Sequence, residues 1–162
     1  MTYIQNIDKS VFIADGAKIV GNVKIKADSS VWYNTVIRAD IAKVEIGKRS
    51  NIQDGSVIHV DTDVPCIIGD DVTIGHGCIL HACIIEDGCL IGMGAIVLSG
   101  AHIKKGAVVG AGALVKENAV VEKDMLIVGL PGKSIKKIID SYEKNCHHAS
   151  EYVKFAKKSR EN

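Results

Sequence analysis

The sequence predicts an all-β solenoid, a parallel β-helix of hexapeptide repeats, followed by a C-terminal α-helix. Aliphatic residues recur every six positions from Ile13 to Ile127, with two short interruptions. Small side chains, mainly Ala and Ser, stand four residues after most of these aliphatic positions. Aromatic residues make up only 4% of the chain, so the core must be built from β-branched and small side chains.

Each hexapeptide is predicted to form a short strand and a turn, with three hexapeptides closing one triangular coil. The aliphatic residue points inward, and the small residue fits the narrow interior near a corner. The repeat is interrupted after Ile37 and after Ile58, and it resumes at Ile46 and Ile68. Unrelated strands of a sandwich would show a period of two and hairpin turns of the Asn-Gly type, and the sequence contains no Asn-Gly pair.

The repeat stops after Gly129, where Leu130-Pro131-Gly132 indicates a turn. We therefore divide the chain into a β-helix domain of residues 1–133 and a C-terminal helix of residues 134–162, with Ser134 as the N-cap. An apolar stripe at helical spacing is expected to pack on the β-helix or on a neighbouring subunit. Its members are Ile135, Ile138, Tyr142, Cys146, Ala149, Val153 and Ala156.

Composition argues against several partners and compartments. The formal net charge is +1 and the charges are scattered, which gives no case for binding nucleic acid or an anionic membrane. No apolar run is long enough to span a bilayer, and the N-terminus lacks the pattern of a signal peptide. The five cysteines are odd in number and show no CxxC spacing, so we expect reduced thiols and a cytoplasmic location.

Three histidines in the middle of the repeat predict a metal site. His59 and His81 each follow an aliphatic repeat position by one residue, and their repeat positions are three hexapeptides apart. Three hexapeptides make one coil, so the two imidazoles should stack about 4.8 Å apart on one face. His76 follows its repeat position by two residues and belongs on an adjacent face. We therefore expect His76 of one chain to complete the site of the next, in three parallel prisms around a threefold axis.

Three imidazoles would leave one position of a tetrahedral metal open, as in catalytic rather than structural zinc sites. A water at that position has its pKa brought towards 7, which provides hydroxide at neutral pH. Zn²⁺ is the expected ion, and Co²⁺ or Fe²⁺ would also accept three imidazoles. His147 and His148 are adjacent on the predicted helix and cannot both face one metal, so both are expected to be exposed or at an interface.

Four polar residues near the histidines are further candidates for the site. Gln53 should lie beside a subunit boundary, where its amide would hydrogen-bond a metal-bound water. Asp54 precedes a glycine at a turn, which favours a structural capping role. Arg38 and Asp40 would either tie subunits together, position a neighbouring group, or form an ordinary exposed ion pair.

Six short motifs make the chain resemble the gamma-class carbonic anhydrase family over roughly residues 9–133. It is most similar to a short bacterial branch that includes hexapeptide proteins of phenylacetate and carnitine operons. The motifs are R-A-D (38–40), N-I-Q-D-G (51–55), V-I-H (57–59), I-G-H-G (74–77), L-H (80–81) and I-G-M-G-A (91–95).

The resemblance implies a homotrimer of left-handed β-helices that hydrates CO2 to bicarbonate by metal-bound hydroxide, as a carbonate dehydratase. It implies His59, His76 and His81 as metal ligands, and Arg38 with Asp40 as an interface ion pair. It places Gln53 and Asp54 near the metal-bound water, and Tyr152 is similar to a helix tyrosine that approaches the site.

The chain departs from the archetypal enzymes at two places that concern proton transfer. Ile41 stands where they carry a glutamate after the R-x-D element, and the segment after His59 is too short for their acidic shuttle loop. Asp61 or Asp63 is left as a possible substitute. Two alternatives stay open: a hexapeptide acyltransferase or thioesterase acting on CoA thioesters, and a catalytically silent metal-binding trimer.

Overall fold

The computed structural model describes residues 5–161, which form a triangular parallel β-helix with an α-helix laid against it. The predicted fold class is confirmed. The strands are β1 (Gln5–Ile7), β2 (Phe12–Ile13), β3 (Lys18–Ile25), β4 (Ser30–Val31), β5 (Val36–Ile46), β6 (Asn51–Ile52), β7 (Val57–His59), β8 (Cys66–Ile68), β9 (Thr73–Ile74), β10 (Ile79–His81), β11 (Ile84–Ile85), β12 (Leu90–Ile91), β13 (Ile96–Val97), β14 (His102–Ile103), β15 (Val108–Val109), β16 (Leu114–Val115), β17 (Val120–Val121), β18 (Met125–Val128) and β19 (Lys133–Lys137). The helix α1 is Ser141–Arg160.

Three faces make up the prism. Face one contains β7, β10, β13 and β16, and face two contains β8, β11, β14 and β17. Face three contains β2, β4, β6, β9, β12, β15 and β18. The long strands β3 and β5 turn a corner, so that each contributes its first half to face one and its second half to face two.

The core is a stack of the predicted repeat positions. On face one, Ile37 pairs with Ile58, Ile58 with Leu80, Leu80 with Val97 and Val97 with Val115, all in parallel register. All five side chains are fully buried. The two insertions therefore leave the register intact, because they are accommodated at a corner of the prism.

The small residues near the corners have a second role where they carry hydroxyls. Ser29 Oγ donates to the carbonyl of Gly47 at 2.6 Å, and Ser56 Oγ donates to the carbonyl of Gly75 at 3.0 Å. Both serines are buried, and each acceptor lies on the next coil. These bonds satisfy backbone carbonyls at corners where the strand ladder is interrupted.

The predicted N-cap at Ser134 is wrong. Ser134 lies in β19, which runs antiparallel to β18 and covers the last strand edge of face three. The helix begins at Ser141 instead, where Ser141 Oγ donates to the carbonyl of Gly106 at 2.6 Å. Asn145 Nδ2 then donates to the carbonyl of Gly88 at 2.8 Å, which fixes α1 across face three.

The apolar stripe of the helix packs only in part as expected. Ala149 and Ala156 are buried against the β-helix, whereas Ile135 lies in β19 and is 56% exposed. Within residues 5–161, no helix is long and apolar enough to cross a membrane.

Candidate metal centre

His59 and His81 end two neighbouring strands of face one. They pair in register at the ends of β7 and β10, so the predicted stacking on adjacent coils is confirmed. The Nδ1 atom of His59 lies 3.2 Å from the Nε2 atom of His81. Both rings are partly buried, with their centroids 5.1 Å apart.

The other nitrogen of each ring has its own partner. His59 Nε2 lies 3.0 Å from Asp40 Oδ1, and because an ionised carboxylate only accepts, this nitrogen carries the proton. His81 Nδ1 lies 2.8 Å from the hydroxyl of Ser99, which is able to accept a hydrogen bond from it. In those tautomers the unprotonated Nδ1 of His59 and Nε2 of His81 face each other.

That pair of nitrogens fits a divalent cation. Two lone pairs facing each other at 3.2 Å repel unless a proton or a cation lies between them. Two metal–nitrogen bonds of about 2.05 Å at a tetrahedral angle would separate the nitrogens by about 3.3 Å. A carboxylate on the distal nitrogen, as Asp40 provides for His59, is a usual means of holding a ligand imidazole in one tautomer.

Asp40 also forms an ion pair with Arg38 within the same chain. The Arg38 side chain is 49% exposed in the single chain. The contact of Asp40 with His59 fits the positioning role among the three predicted alternatives, and a tie between subunits stays a prediction. Desolvation raises the pKa of Asp40, but hydrogen bonds from His59 and Arg38 outweigh it, so this pKa lies below its ordinary value. Asp40 therefore stays ionised opposite His59.

His76 lies at a different corner of the prism, after β9. Its Nδ1 atom is 2.8 Å from Asp54 Oδ2, which leaves Nε2 as the ring nitrogen suited to bind a metal. The side chain of Asp54, for which the sequence favoured a capping role, thus contacts the third predicted ligand instead. Both side chains are exposed, at 48% and 40%.

A single chain does not assemble a complete three-ligand site. Among residues 5–161, no group of three or more His, Cys, Asp or Glu side chains is arranged to hold a metal. The structure brings His59 and His81 together and leaves His76 at another corner. Completion of the site by His76 of a second chain stays a prediction.

Gln53 is buried and belongs to a chain of hydrogen bonds that the sequence did not reveal. Its Nε2 donates to Asn51 Oδ1 at 3.1 Å, and Asn51 Nδ2 donates to Thr73 Oγ1 at 3.0 Å. Thr73 Oγ1 lies 3.2 Å from Nδ1 of His148, an exposed residue of α1. This series of hydrogen bonds therefore runs from Gln53, beside the candidate site, to His148 at the surface.

Tyr152 is the helix residue that reaches the His76 corner. Its ring packs edge-on against Trp32, with the centroids 5.6 Å apart. A groove of about 400 Å³ is lined by Gln53, His76, His148 and Tyr152 among others, and a neighbouring cavity contains Asp54, His76 and Tyr152. Burial and, to a lesser degree, the charge of Asp54 raise the pKa of Tyr152, so its phenol stays protonated at neutral pH.

Ser99, Thr73 and His148 are the site residues that sequence reasoning missed. Ser99 had a readable signal, because Leu80 pairs with Val97 and Ser99 therefore follows the residue aligned with His81 on the next coil. Thr73 and His148 had none, since their contact depends on where the helix docks.

The repeat, the prism and the histidine pair define a hexapeptide-repeat protein of the parallel β-helix class. A family model described as "Bacterial transferase hexapeptide (six repeats)" matches residues 65–99 and 82–117. The "Probable carbonic anhydrase" of Methanocaldococcus jannaschii is 54% identical over 93% of this chain and 95% of its own length. By this similarity, the chain belongs to the gamma carbonic anhydrase-like family of hexapeptide-repeat proteins.

Two further similar proteins have names that indicate different activities. The carbonic anhydrase of Geobacillus kaustophilus is 51% identical over 54% of this chain, and the match spans 48% of that protein. A crystal structure of a putative acetyltransferase from Bacillus cereus superposes with a TM-score of 0.94 and 39% identity, covering 98% of this chain and 93% of that one.

Proposed function

We propose that this protein is a gamma-class carbonic anhydrase, a zinc-dependent lyase that interconverts CO2 and bicarbonate at the subunit interfaces of a cytoplasmic homotrimer. The 3.2 Å approach of His59 Nδ1 and His81 Nε2, with both distal nitrogens engaged, carries the proposal. When bound, the divalent ion would lower the pKa of a water molecule and supply the nucleophile for CO2.

The chain's own residues hold the ion and fix its surroundings. His59 and His81 of one chain, together with His76 of the next, would be the ligands. Asp40 holds His59 in the tautomer that leaves Nδ1 free to bind the ion, and Ser99 orients the ring of His81 with Nε2 towards the same point. Asp54, through its 2.8 Å contact with Nδ1 of His76, holds that ring in the tautomer whose Nε2 is free to bind the ion. Co²⁺ or Fe²⁺ would be accepted by the same ligands.

Face one offers an apolar surface for the subunit contact. Val57 and Ile79 are in register beside the histidines and are 38% and 43% exposed. Ile96 pairs with Ile79, and Leu114 pairs with Ile96, so this row of outward-facing aliphatic side chains continues along face one. A row of aliphatic side chains next to an incomplete ligand set favours association through this face.

Gln53 and Tyr152 would bind and orient rather than exchange protons. The Gln53 amide lies at the base of the groove that contains His76, where it is able to hydrogen-bond a bound oxygen. The raised pKa of Tyr152 keeps its phenol as a hydrogen-bond donor towards the same corner. Arg38 holds Asp40 through their ion pair and so supports His59 indirectly.

Metal analysis combined with CO2 hydration kinetics tests this proposal. Protein purified without chelators should contain about one zinc per chain and should accelerate hydration in a stopped-flow assay. His59→Ala should lose both the metal and the activity, whereas His102→Ala should keep both, because His102 pairs with Glu86 on face two. A protein that binds no zinc even after zinc is added would contradict the proposal.

The similarity to a putative acetyltransferase keeps a CoA-dependent acyl transfer as the second candidate function. The groove along α1 would then hold part of the thioester, and a histidine would act as a general base. Acyl transfer from acetyl-CoA that survives complete metal removal would favour this candidate. Stoichiometric zinc without hydration at any pH would instead favour a catalytically silent metal-binding trimer.

A further inference from the structure

Hydration of CO2 produces one bicarbonate and one proton, so a site with the proposed function needs a group that carries the proton away. The sequence left Asp61 and Asp63 as possible groups. Both lie in an exposed turn that is closed by backbone hydrogen bonds between Asp61 and Val64. Asp61 Oδ1 accepts from the backbone N–H of Thr62, and neither aspartate lines the groove at His76.

His148 has the position that such a group requires. It lies on the exposed side of α1, so bases in the solvent reach it, and it also lines the groove that contains Gln53 and His76. Imidazole is the side chain whose protonation changes closest to neutral pH. His147, the next residue, is equally exposed but does not line this groove.

Thr73 holds the ring of His148 in a way that suits both of its protonation states. Thr73 Oγ1 accepts from Asn51 Nδ2, and it lies 3.2 Å from His148 Nδ1, to which its hydroxyl is able to donate. A hydroxyl both donates and accepts, so the same contact persists when Nδ1 gains a proton and becomes the donor. The imidazole of His148 is therefore able to gain and lose a proton without changing its position.

The other groups around His148 are less suited to accept a proton at neutral pH. Tyr152 packs on the ring, with centroids 5.7 Å apart, and its raised pKa keeps it protonated. Glu151 is held by Lys154 at 2.6 Å, and hydrogen bonding from that lysine lowers the pKa of Glu151. His76 is engaged with Asp54 and is assigned to the metal.

We propose that His148 is the proton-transfer residue of the site, a role that rests on the proposed function. In its neutral form the imidazole accepts the proton released by hydration, through water in the groove, and becomes positively charged. It then passes that proton to a buffer base in the solvent and returns to the neutral form. Hydration limited by this step depends on the neutral form of His148, and dehydration depends on its protonated form.

Oxygen-18 exchange measured by mass spectrometry separates the two halves of the reaction. His148→Ala should leave the interconversion of CO2 and bicarbonate, and kcat/KM, near the wild-type values. The proton-dependent release of labelled water, and kcat in weak buffer, should fall by about 100-fold or more. Added imidazole should restore both. His147→Ala is the matched control and should change neither.

A second measurement needs no bound metal. In the zinc-free protein, the ring ¹⁵N signals of His148, assigned by their loss in His148→Ala, should show reversible exchange between the neutral and the protonated imidazole when acid or base is added. A ring that keeps one protonation state throughout would overturn the proposal. If the wild type is active, a different result would overturn the role of His148 alone. In that result, His148→Ala keeps the proton-transfer rate, and Asp61→Asn or Asp63→Asn loses it. A wild type without any oxygen-18 exchange would overturn the proposed function and this role with it.

Discussion

Ser99 Oγ lies 2.8 Å from His81 Nδ1, on the coil that follows His81. This contact orients one imidazole of the pair so that its Nε2 atom faces Nδ1 of His59. Partners of this kind usually change metal affinity by about 10- to 100-fold when they are removed. Ser99 thus belongs to the site although it is remote from the histidines in sequence.

Replacing Ser99 by Ala should weaken zinc binding by about tenfold, because the ring of His81 would lose the contact that holds its orientation. Competition with a fluorescent zinc chelator measures the change. Ser150→Ala is a suitable control, since Ser150 Oγ donates to the carbonyl of His147 within α1. Unchanged affinity in Ser99→Ala would show that the hydroxyl does not position the ligand.

A site shared between chains predicts complementation. His59→Ala and His76→Ala should each be inactive as pure proteins, because every interface would lack a ligand. After the two variants are unfolded together and refolded at equal concentrations, about a quarter of the interfaces should pair an intact His59 with an intact His76. Zinc content and hydration rate should recover to that fraction. Mixtures as inactive as the pure variants would place all three ligands in one chain.

The register of the histidines was predictable from sequence because a strand slip of one residue would turn every side chain to the opposite face. The buried positions Ile58 and Leu80 fix that register, and His59 and His81 follow it. The first insertion lies within β5, where that strand turns the corner, and the second lies between β7 and β8, so counting repeat positions gave the correct coil. Contacts along a single solenoid face were therefore accessible without a structure.

Contacts that depend on how the solenoid ends were not predictable from the sequence. Ser134 has the residue type of an N-cap, but β18 leaves an unpaired strand edge, and the chain covers that edge with β19 before the helix starts. This need arises from the tertiary structure and leaves no local signal. The N-cap is Asp140, six residues after Ser134, and this shift sets where α1 crosses face three, and so which of His147 and His148 reaches the groove.

The helix is seated against Gly88 so closely that a methyl group there should displace it. Gly88 has φ +62°, and a Cβ atom would lie 2.3 Å from the ring of Tyr142. Gly94 has φ +68° with no atom within 4 Å of its Cβ position, so it experiences the same backbone strain without the clash. Gly88→Ala should be less stable than Gly94→Ala by about 1–3 kcal/mol in chemical denaturation.

Trp32 supplies a local measure of the same displacement, because its ring packs on Tyr152 of the helix. Its fluorescence in the native state should change in Gly88→Ala and stay close to wild type in Gly94→Ala. Equal stability and equal fluorescence in the two variants would show that α1 does not pack against this turn as closely as the structure indicates.

The cysteines of the β-helix should be unreactive while the protein is folded. Cys78 and Cys89 are buried, and burial raises the pKa of Cys78 to about 11 and that of Cys89 to about 12. Because the thiolate is the reactive form, both should resist an aromatic disulfide reagent at pH 8. Cys66 and Cys83 are also buried, which leaves the partly exposed Cys146 as the one thiol to react, and slowly, since burial raises its pKa too.

Denaturation in the absence of reductant should then release all five thiols. Cys146→Ser should show no reaction in the folded state and four thiols after denaturation. The Sγ atoms of Cys66 and Cys83 are 3.9 Å apart, so a disulfide between them would lower the denatured count to three in the wild type. That result would contradict the reduced state, and with it the cytoplasmic location, expected from the odd number and spacing of the cysteines.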